Sequence, residues 1–266
     1  MADLTLLKQL EQLIPAISDK ILNDFFNQTT AETKTDGSIV TEADLAMQNA
    51  ISAELLKLAP DIPLLSEEMT TQEQTDVVTN CPSYWCLDPV DGTNNFHHGV
   101  PLFAVSLALI VDKQLSLGII YDPVRKETFS ALKGSGLRIN GSKYESPEQT
   151  EELGLCLASV DFKRLNSNMK LRLCQTMPFK SQRNIGTCAL EWAWLAAGRT
   201  QLLLHGGEKF WDYAAGCLLL AEANGVSSTD TLQPVFNNSL ESRPIIAASN
   251  YSLHKSWSTF LLNPSS

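Results

Sequence analysis

No stretch of this 266-residue chain approaches the roughly 18 consecutive apolar residues of a membrane span. The first residues, Met-Ala-Asp-Leu-Thr-Leu-Leu-Lys, have no basic region leading into an apolar core. With no span and no leader to read, no membrane association is expected and a cytoplasmic location is the expectation. Positive charge is scarce: Lys and Arg number 20 against 30 Asp and Glu, a formal net charge of −10. That balance disfavours direct nucleic-acid binding and attachment to an anionic membrane. Any anionic substrate must then find local positive charge, which metal ions supply most readily. The six cysteines contain no C-x-x-C pair and mostly sit among apolar residues, so they read as reduced core thiols. No two histidines have the i, i+4 spacing of a helical zinc site. G-x-S-x-G, G-x-x-x-x-G-K-[ST] and G-x-G-x-x-G are also missing.

What the chain does have is Asp88-Pro89-Val90-Asp91-Gly92-Thr93, two carboxylates, a turn former, a glycine and a hydroxyl in six residues. The apolar lead-in from Tyr84 to Leu87 predicts a strand that delivers Asp88 to its end, where Pro89 stops regular pairing. Asp91 then converges on the space that Asp88 faces. Hard cations such as Mg²⁺ take oxygen ligands and are commonly held by a few carboxylates plus substrate phosphate. Gly92 permits close approach of the backbone, and a helix opened by Thr93 turns its amide toward an anion. In isolation the same residues also fit a strand-to-turn junction whose Asp side chains cap amides.

The 44% hydrophobic content supports a sizeable core, as one large domain or two closely packed halves. Apolar residues at helical spacing over 3–27, interrupted by Pro15, predict one kinked helix or two short ones. A polar loop over 29–38 precedes a helix over 42–58, then a strand over 62–66 and a polar connector over 69–82. Strands at 103–111, 115–121 and 126–132 suggest an antiparallel meander, with a hairpin turn at Lys133-Gly134-Ser135-Gly136. Polar composition around Gly141 to Glu152 marks the division into an N-terminal half, 1–145, and a C-terminal half, 146–266. In the second half, strands at 153–160, 181–185, 201–205 and 244–248 alternate with helices at 167–177, 188–198, 211–224 and 251–262. The expected fold is α+β, a layered αβαβα sandwich.

Further candidates surround the motif. Glu67 and Glu68 follow an apolar run as Asp88 does, so Glu67 and Asp88 are expected at the ends of neighbouring strands. A half-buried carboxylate cluster repels itself unless cations neutralise it. Thr41 and Asp44 fit a helix start, and Asp44 also fits the partner that accepts the Thr93 hydroxyl proton. Asp212, in Trp211-Asp212-Tyr213-Ala214-Ala215-Gly216, either caps a helix or points into a site. Gly186-Thr187-Cys188 opens a helix whose amides and hydroxyl face whatever lies at that end.

Taken in order, these segments resemble the inositol monophosphatase family of magnesium-dependent, lithium-sensitive sugar phosphatases. The resemblance rests on Val40-Thr41-Glu42-Ala43-Asp44, Ser66-Glu67-Glu68, Asp88 to Phe96, Pro101 with Val105 to Ala108, Gly186-Thr187 and Trp211 to Gly216. It implies two or three Mg²⁺ ions held by Glu67, Asp88, Asp91, Asp212 and the Val90 carbonyl, in a cleft between the halves. It implies hydrolysis by a metal-activated water oriented by Thr93 with Asp44 and assisted by Glu67. Gly92, Thr93, Asp91, Gly186, Thr187, Cys188, His205 and Asp212 are the implied substrate contacts, with Lys34 and Glu68 as outlying members. Inositol-specific members carry a glutamate seven residues before the W-D aspartate, where this chain has His205. Glu208 stands three residues on as a substitute should the loop shift. The departure leaves open 3′(2′),5′-bisphosphate nucleotidase or fructose-1,6-bisphosphatase activity, and histidinol phosphate, beside inositol phosphate. The resemblance also implies a homodimer, to which Trp192 and Trp194 can contribute as readily as to the core. Some bacterial members look like transcription accessory proteins, the alternative of another class.

Overall fold

The computed structural model describes residues 2–26, 31–33, 39–147 and 150–262; Lys34 lies outside them. The N-terminal segment is one helix, α1 (Leu4–Phe25), opened by the Asp3 carboxylate accepting the Leu6 N–H at 2.8 Å. Pro15 lies inside it without dividing it. The proline forfeits one backbone bond, while Leu7, Leu10, Ile14 and Leu22 on the same face are buried, and that burial holds the helix together. Within the stretch read as a loop, β1 (Ala31–Thr33) pairs antiparallel with β2 (Ile39–Thr41). Next come α2 (Glu42–Leu58) and β3 (Leu64–Ser66). The expected polar connector contains a helix, α3 (Thr71–Asn80), started by a capping box in which Thr70 and Glu73 exchange hydrogen bonds. It buries only Gln74 and Val78, too few apolar positions to register as a period.

A seven-stranded sheet follows. β4 (Tyr84–Asp91) runs into α4 (Thr93–His97), and then β5 (Ala104–Val111), β6 (Gln114–Asp122), β7 (Glu127–Leu132), β8 (Leu137–Ile139) and β9 (Ser142–Lys143) pair in sequence order. The expected meander is present and continues into two short strands beyond the turn at Gly134 and Gly136. β3 lies parallel to β4 on the other side.

The rest of the chain alternates: β10 (Leu157–Asp161), α5 (Ser167–Gln175), β11 (Ser181–Arg183), α6 (Cys188–Ala196), β12 (Leu202–Glu208), α7 (Phe210–Glu222), β13 (Val226–Ser228), β14 (Arg243–Ala248) and α8 (Tyr251–Leu262). The first of these strands starts later than expected because Leu153–Leu155 form a 3₁₀ turn. The five strands order as β11-β10-β12-β14-β13, with β10 parallel to both neighbours.

Side-chain alternation stacks these pieces into five layers. Trp85, Leu87, Val105, Leu107 and Leu109 face α1 and α2, while Tyr84, Cys86, Ala104, Ala108 and Ile110 face α6 and α7. In the second sheet Leu203, Ile245 and Ala247 face the same central helices, and Leu202, Leu204, Ile246 and Ala248 face α5 and α8. The arrangement is the expected αβαβα. Two glycines set the central spacing. A Cβ on Gly118 of β6 would stand 3.0 Å from the Ala215 carbonyl oxygen of α7, and one on Gly216 would stand 2.3 Å from the Trp192 ring. Trp192 is core, whereas Trp194 is partly buried beneath the Arg125 guanidinium, 5.1 Å from its ring centroid. All six cysteines are unpaired. No described helix is long and apolar enough to cross a membrane.

α6 also buries Glu191, which is 3% exposed and accepts the Ile185 N–H at 3.3 Å. Burial pushes its carboxyl from an ordinary 4.5 up to about 8. The native state therefore binds the more protons between those values, and this group's contribution to stability falls as pH rises through that window. Glu191→Gln is expected to flatten that fall. Its stability relative to wild type, read from urea unfolding, should rise by on the order of 3 kcal/mol between pH 5 and pH 8. Gly216→Ala, which drives a methyl into Trp192, should lose about 3 kcal/mol in the same assay.

Candidate functional site

Asp88 does not end its strand, as Pro89 suggested it would. β4 continues to Asp91 across a β-bulge, with Asp88 opposite Ser106 and Asp91 opposite Ala104 of β5. Pro89 is accommodated because the bulge takes it out of the regular ladder. The Asp88 carboxylate accepts the Val90 N–H at 3.1 Å, and this local turn fixes its direction. Gly92 follows with φ +92, and a Cβ there would lie 3.0 Å from the Leu102 carbonyl oxygen. Both its conformation and its crowding require glycine. Thr93 then opens α4, as expected.

Three elements bring further acids to this point. The parallel register that sets Ser66 beside Leu87 leaves Glu67 just past the end of β3, its N–H donated to the Leu87 carbonyl at 3.2 Å. Glu68 follows in the same turn, part-buried. Asp44, in the first turn of α2, accepts the Thr41 N–H at 2.8 Å and the Thr41 hydroxyl at 2.5 Å on Oδ2. Its Oδ1 faces the Thr93 hydroxyl at 3.3 Å, and that hydroxyl also reaches the Val90 carbonyl at 3.0 Å. Asp212, at the start of α7, accepts the Lys209 N–H at 2.8 Å. It both caps its helix and meets the other carboxylates, since Asp88, Asp91 and Asp212 each place an oxygen within 4.8 Å of the others'.

The N-terminus of α6 has a definite target, and it is Asp91. The Thr187 hydroxyl and the Ala189 N–H, the latter at 2.7 Å, both donate to Asp91 Oδ2. Asn95 reinforces the junction by donating to the carbonyls of Leu102 at 2.8 Å and Ile185 at 2.7 Å. Gly186, Thr187, Cys188, His205 and Asp212 line one cavity with Asp161, which lies beside the carboxylate centre. Glu208 is turned away: fully buried, it accepts the Trp192 indole N–H at 2.7 Å and does not line that cavity, which removes it as the substitute for position 205. Asp161 and Arg164, the residues sequence reasoning missed, flank His205. The available signal was their position at and just past the end of a strand.

Electrostatically the centre is under strain of a simple kind. Burial, reinforced by the charges of Glu67, Asp91, Asp212 and Asp44, raises the Asp88 carboxyl well above the usual carboxylate range. Burial lifts Asp91 to about 6 despite the Thr187 and α6 donors, and burial with the Asp91 charge lifts Asp212 to about 7. An acid triad with two buried members and one part-buried, its oxygen donors this close, suits a hard divalent cation.

The family model for inositol monophosphatases matches residues 4–261. Inositol monophosphatase 1 of Bos taurus is 30% identical over 223 residues, 81% of this chain and 78% of the relative. The Nus factor SuhB of Pasteurella multocida is 34% identical over 205 residues, 75% of this chain and 74% of the relative. Among solved structures, an IMPase/NADP phosphatase complexed with Mg²⁺ and phosphate aligns with a TM-score of 0.84 at 25% identity, covering 97% of each chain. A match spanning α1 to α8, over a fold that gathers the same acids the motifs singled out, leads to one conclusion: this chain belongs to the inositol monophosphatase family.

Proposed function

We propose that this chain is a Mg²⁺-dependent phosphomonoesterase acting on inositol monophosphate or a related small polyol or sugar phosphate. The observation that carries this reading is the meeting of Asp88, Asp91 and Asp212 beside the Thr93–Asp44 pair. Glu67, these three aspartates and the Val90 carbonyl would hold two or three Mg²⁺ ions. Bound there, the metal supplies charge neutralisation for the phosphoryl group and a water made more acidic.

The chain's own residues do the rest. Thr93 has one hydroxyl proton and two acceptors in reach, Val90 O and Asp44 Oδ1. Once the Val90 carbonyl is engaged elsewhere, the proton goes to Asp44, and the Thr93 oxygen is left to accept from a water and aim it at phosphorus. Asp44 keeps its place because Thr41 holds its other oxygen twice. Glu67 is a second acceptor for the proton that the water loses as its oxygen bonds phosphorus and the ester P–O bond breaks, the departing oxygen taking a proton from solvent to leave as the alcohol. The amides of Gly92 and Thr93 serve the phosphate oxygens. The family likeness supports a homodimer and a cytoplasmic setting as parts of the same reading. Likeness to a Nus factor supports a second one, an accessory role in transcription, which the intact acid set does not require.

Phosphate release from inositol 1-phosphate, with and without Mg²⁺, tests the leading reading; no Mg²⁺-dependent turnover of this or any related ester would sink it and promote the accessory role. Thr93→Ala is expected to lower kcat about 10²- to 10³-fold at saturating Mg²⁺. Thr187→Val, which strips a donor from Asp91, should weaken Mg²⁺ about 10- to 100-fold in a titration of activity against metal while leaving kcat at saturation largely intact.

A further inference from the structure

The cavity beside the acid centre has a volume of about 370 Å³, and Asp161 and His205 line it together with Asp212 and Thr187. Parallel pairing puts these two residues together: Asp161 closes β10 level with His205 on β12. Both ring nitrogens of His205 are engaged. Nδ1 accepts the Gly207 N–H at 3.1 Å, and Nε2 donates to Asp161 Oδ2 at 3.2 Å. An imidazole accepting on one nitrogen and donating on the other is the uncharged tautomer, with no donor left over for a ligand. The histidine side chain is 6% exposed and the Asp161 side chain 23%, so the carboxylate is the more accessible of the two cavity-lining groups.

Asp161 is also held from its other side, where Oδ1 accepts the Lys163 N–H at 2.6 Å. The chain that follows sits directly on β12: a Cβ on Gly206 would fall 2.0 Å from the Arg164 carbonyl oxygen. The hydrogen bond from His205 keeps the Asp161 carboxyl below the usual carboxylate range, so it is an anion at neutral pH. Two cations also line the cavity: Arg164 gives one guanidinium N–H to the Gly207 carbonyl at 2.6 Å, and Lys163 is exposed. Glu191, buried in the same wall, carries its proton near pH 7.

We propose that Asp161, positioned by His205, is the residue through which this site reads its substrate, accepting hydrogen bonds from hydroxyl groups on the organic part of the ester. This rests on the phosphatase reading above and deepens it. The hydroxyl-reading role thereby moves off position 205, where His205 serves only to orient Asp161. A fixed anionic acceptor favours a neutral polyol or sugar monophosphate. A second phosphate set against the Asp161 carboxylate would meet like charge.

The experiment compares wild type, Asp161→Asn, His205→Gln and His205→Ala on inositol 1-phosphate, on phenyl phosphate, which has no hydroxyl, and on adenosine 3′,5′-bisphosphate. Asp161→Asn should lower kcat/KM for inositol 1-phosphate about 10- to 100-fold, mainly through KM, and change phenyl phosphate by less than about twofold. His205→Gln, which keeps an N–H for Asp161, should fall between wild type and His205→Ala. Calorimetric binding of inositol 1-phosphate to the Ca²⁺-loaded proteins should follow the same order. Equal loss on inositol and phenyl phosphates, no loss on either, or a wild type that prefers the bisphosphate would overturn the proposal. Inactivity of wild type toward all three esters would overturn the phosphatase reading instead, and the ratio of affinities between wild type and Asp161→Asn would still decide this one.

Discussion

The repulsion among Asp88, Asp91 and Asp212, taken partly out of water and held within one another's reach, is the constraint the surrounding elements answer. Nothing in their own chemistry keeps three carboxylates together. Each is pinned by backbone donors that come from its own turn or from a segment distant in sequence: Val90 for Asp88, the α6 N-terminus for Asp91 and Lys209 for Asp212. The bulge in β4, the left-handed Gly92 and the short α4 then follow as the means of reversing the chain so that two acids three positions apart face the same point. The fold is a scaffold for a charge density it does not itself neutralise.

That constraint also explains how the two sheets cooperate. Asp88 and Asp91 belong to the seven-stranded sheet, while Asp212 stands at the start of α7, one of the two helices sandwiched between the sheets. Asp91 is clamped by Thr187 and Ala189, so the first turn of α6 acts directly on the centre. The polar wall around Asp161 and His205 comes from the five-stranded sheet. The acid centre and the polar wall are thereby drawn from different layers, which lets the wall vary while the acid centre stays fixed.

Much of this was legible in the sequence, for reasons that can be named. The continuous apolar runs of β4 and β5 and the helical spacing of α1 are strong signals, and the motif acids follow such runs at fixed offsets. The misses have physical causes as well. α3 is held by a capping box and by Gln74 donating to the Ser66 and Glu67 carbonyls, not by an apolar face. Pro89 signalled a strand end because nothing local reveals a bulge, which depends on the partner strand. Asp161 carries no motif of its own, and its importance comes only from parallel pairing with His205, a contact between residues 44 positions apart in the chain.

Gly118 and Ala215 touch none of the acids, yet they fix how near α7 lies to the sheet that carries Asp88 and Asp91. Asp212 rides on that helix. The separation of the carboxylate oxygens is therefore inherited from a helix-to-sheet thickness, and what calibrates that thickness is the absence of a side chain. A chain can keep every acid of its signature and still lose its centre by acquiring one methyl group in the core, so drift at such positions is invisible to any reading that inspects the motif alone.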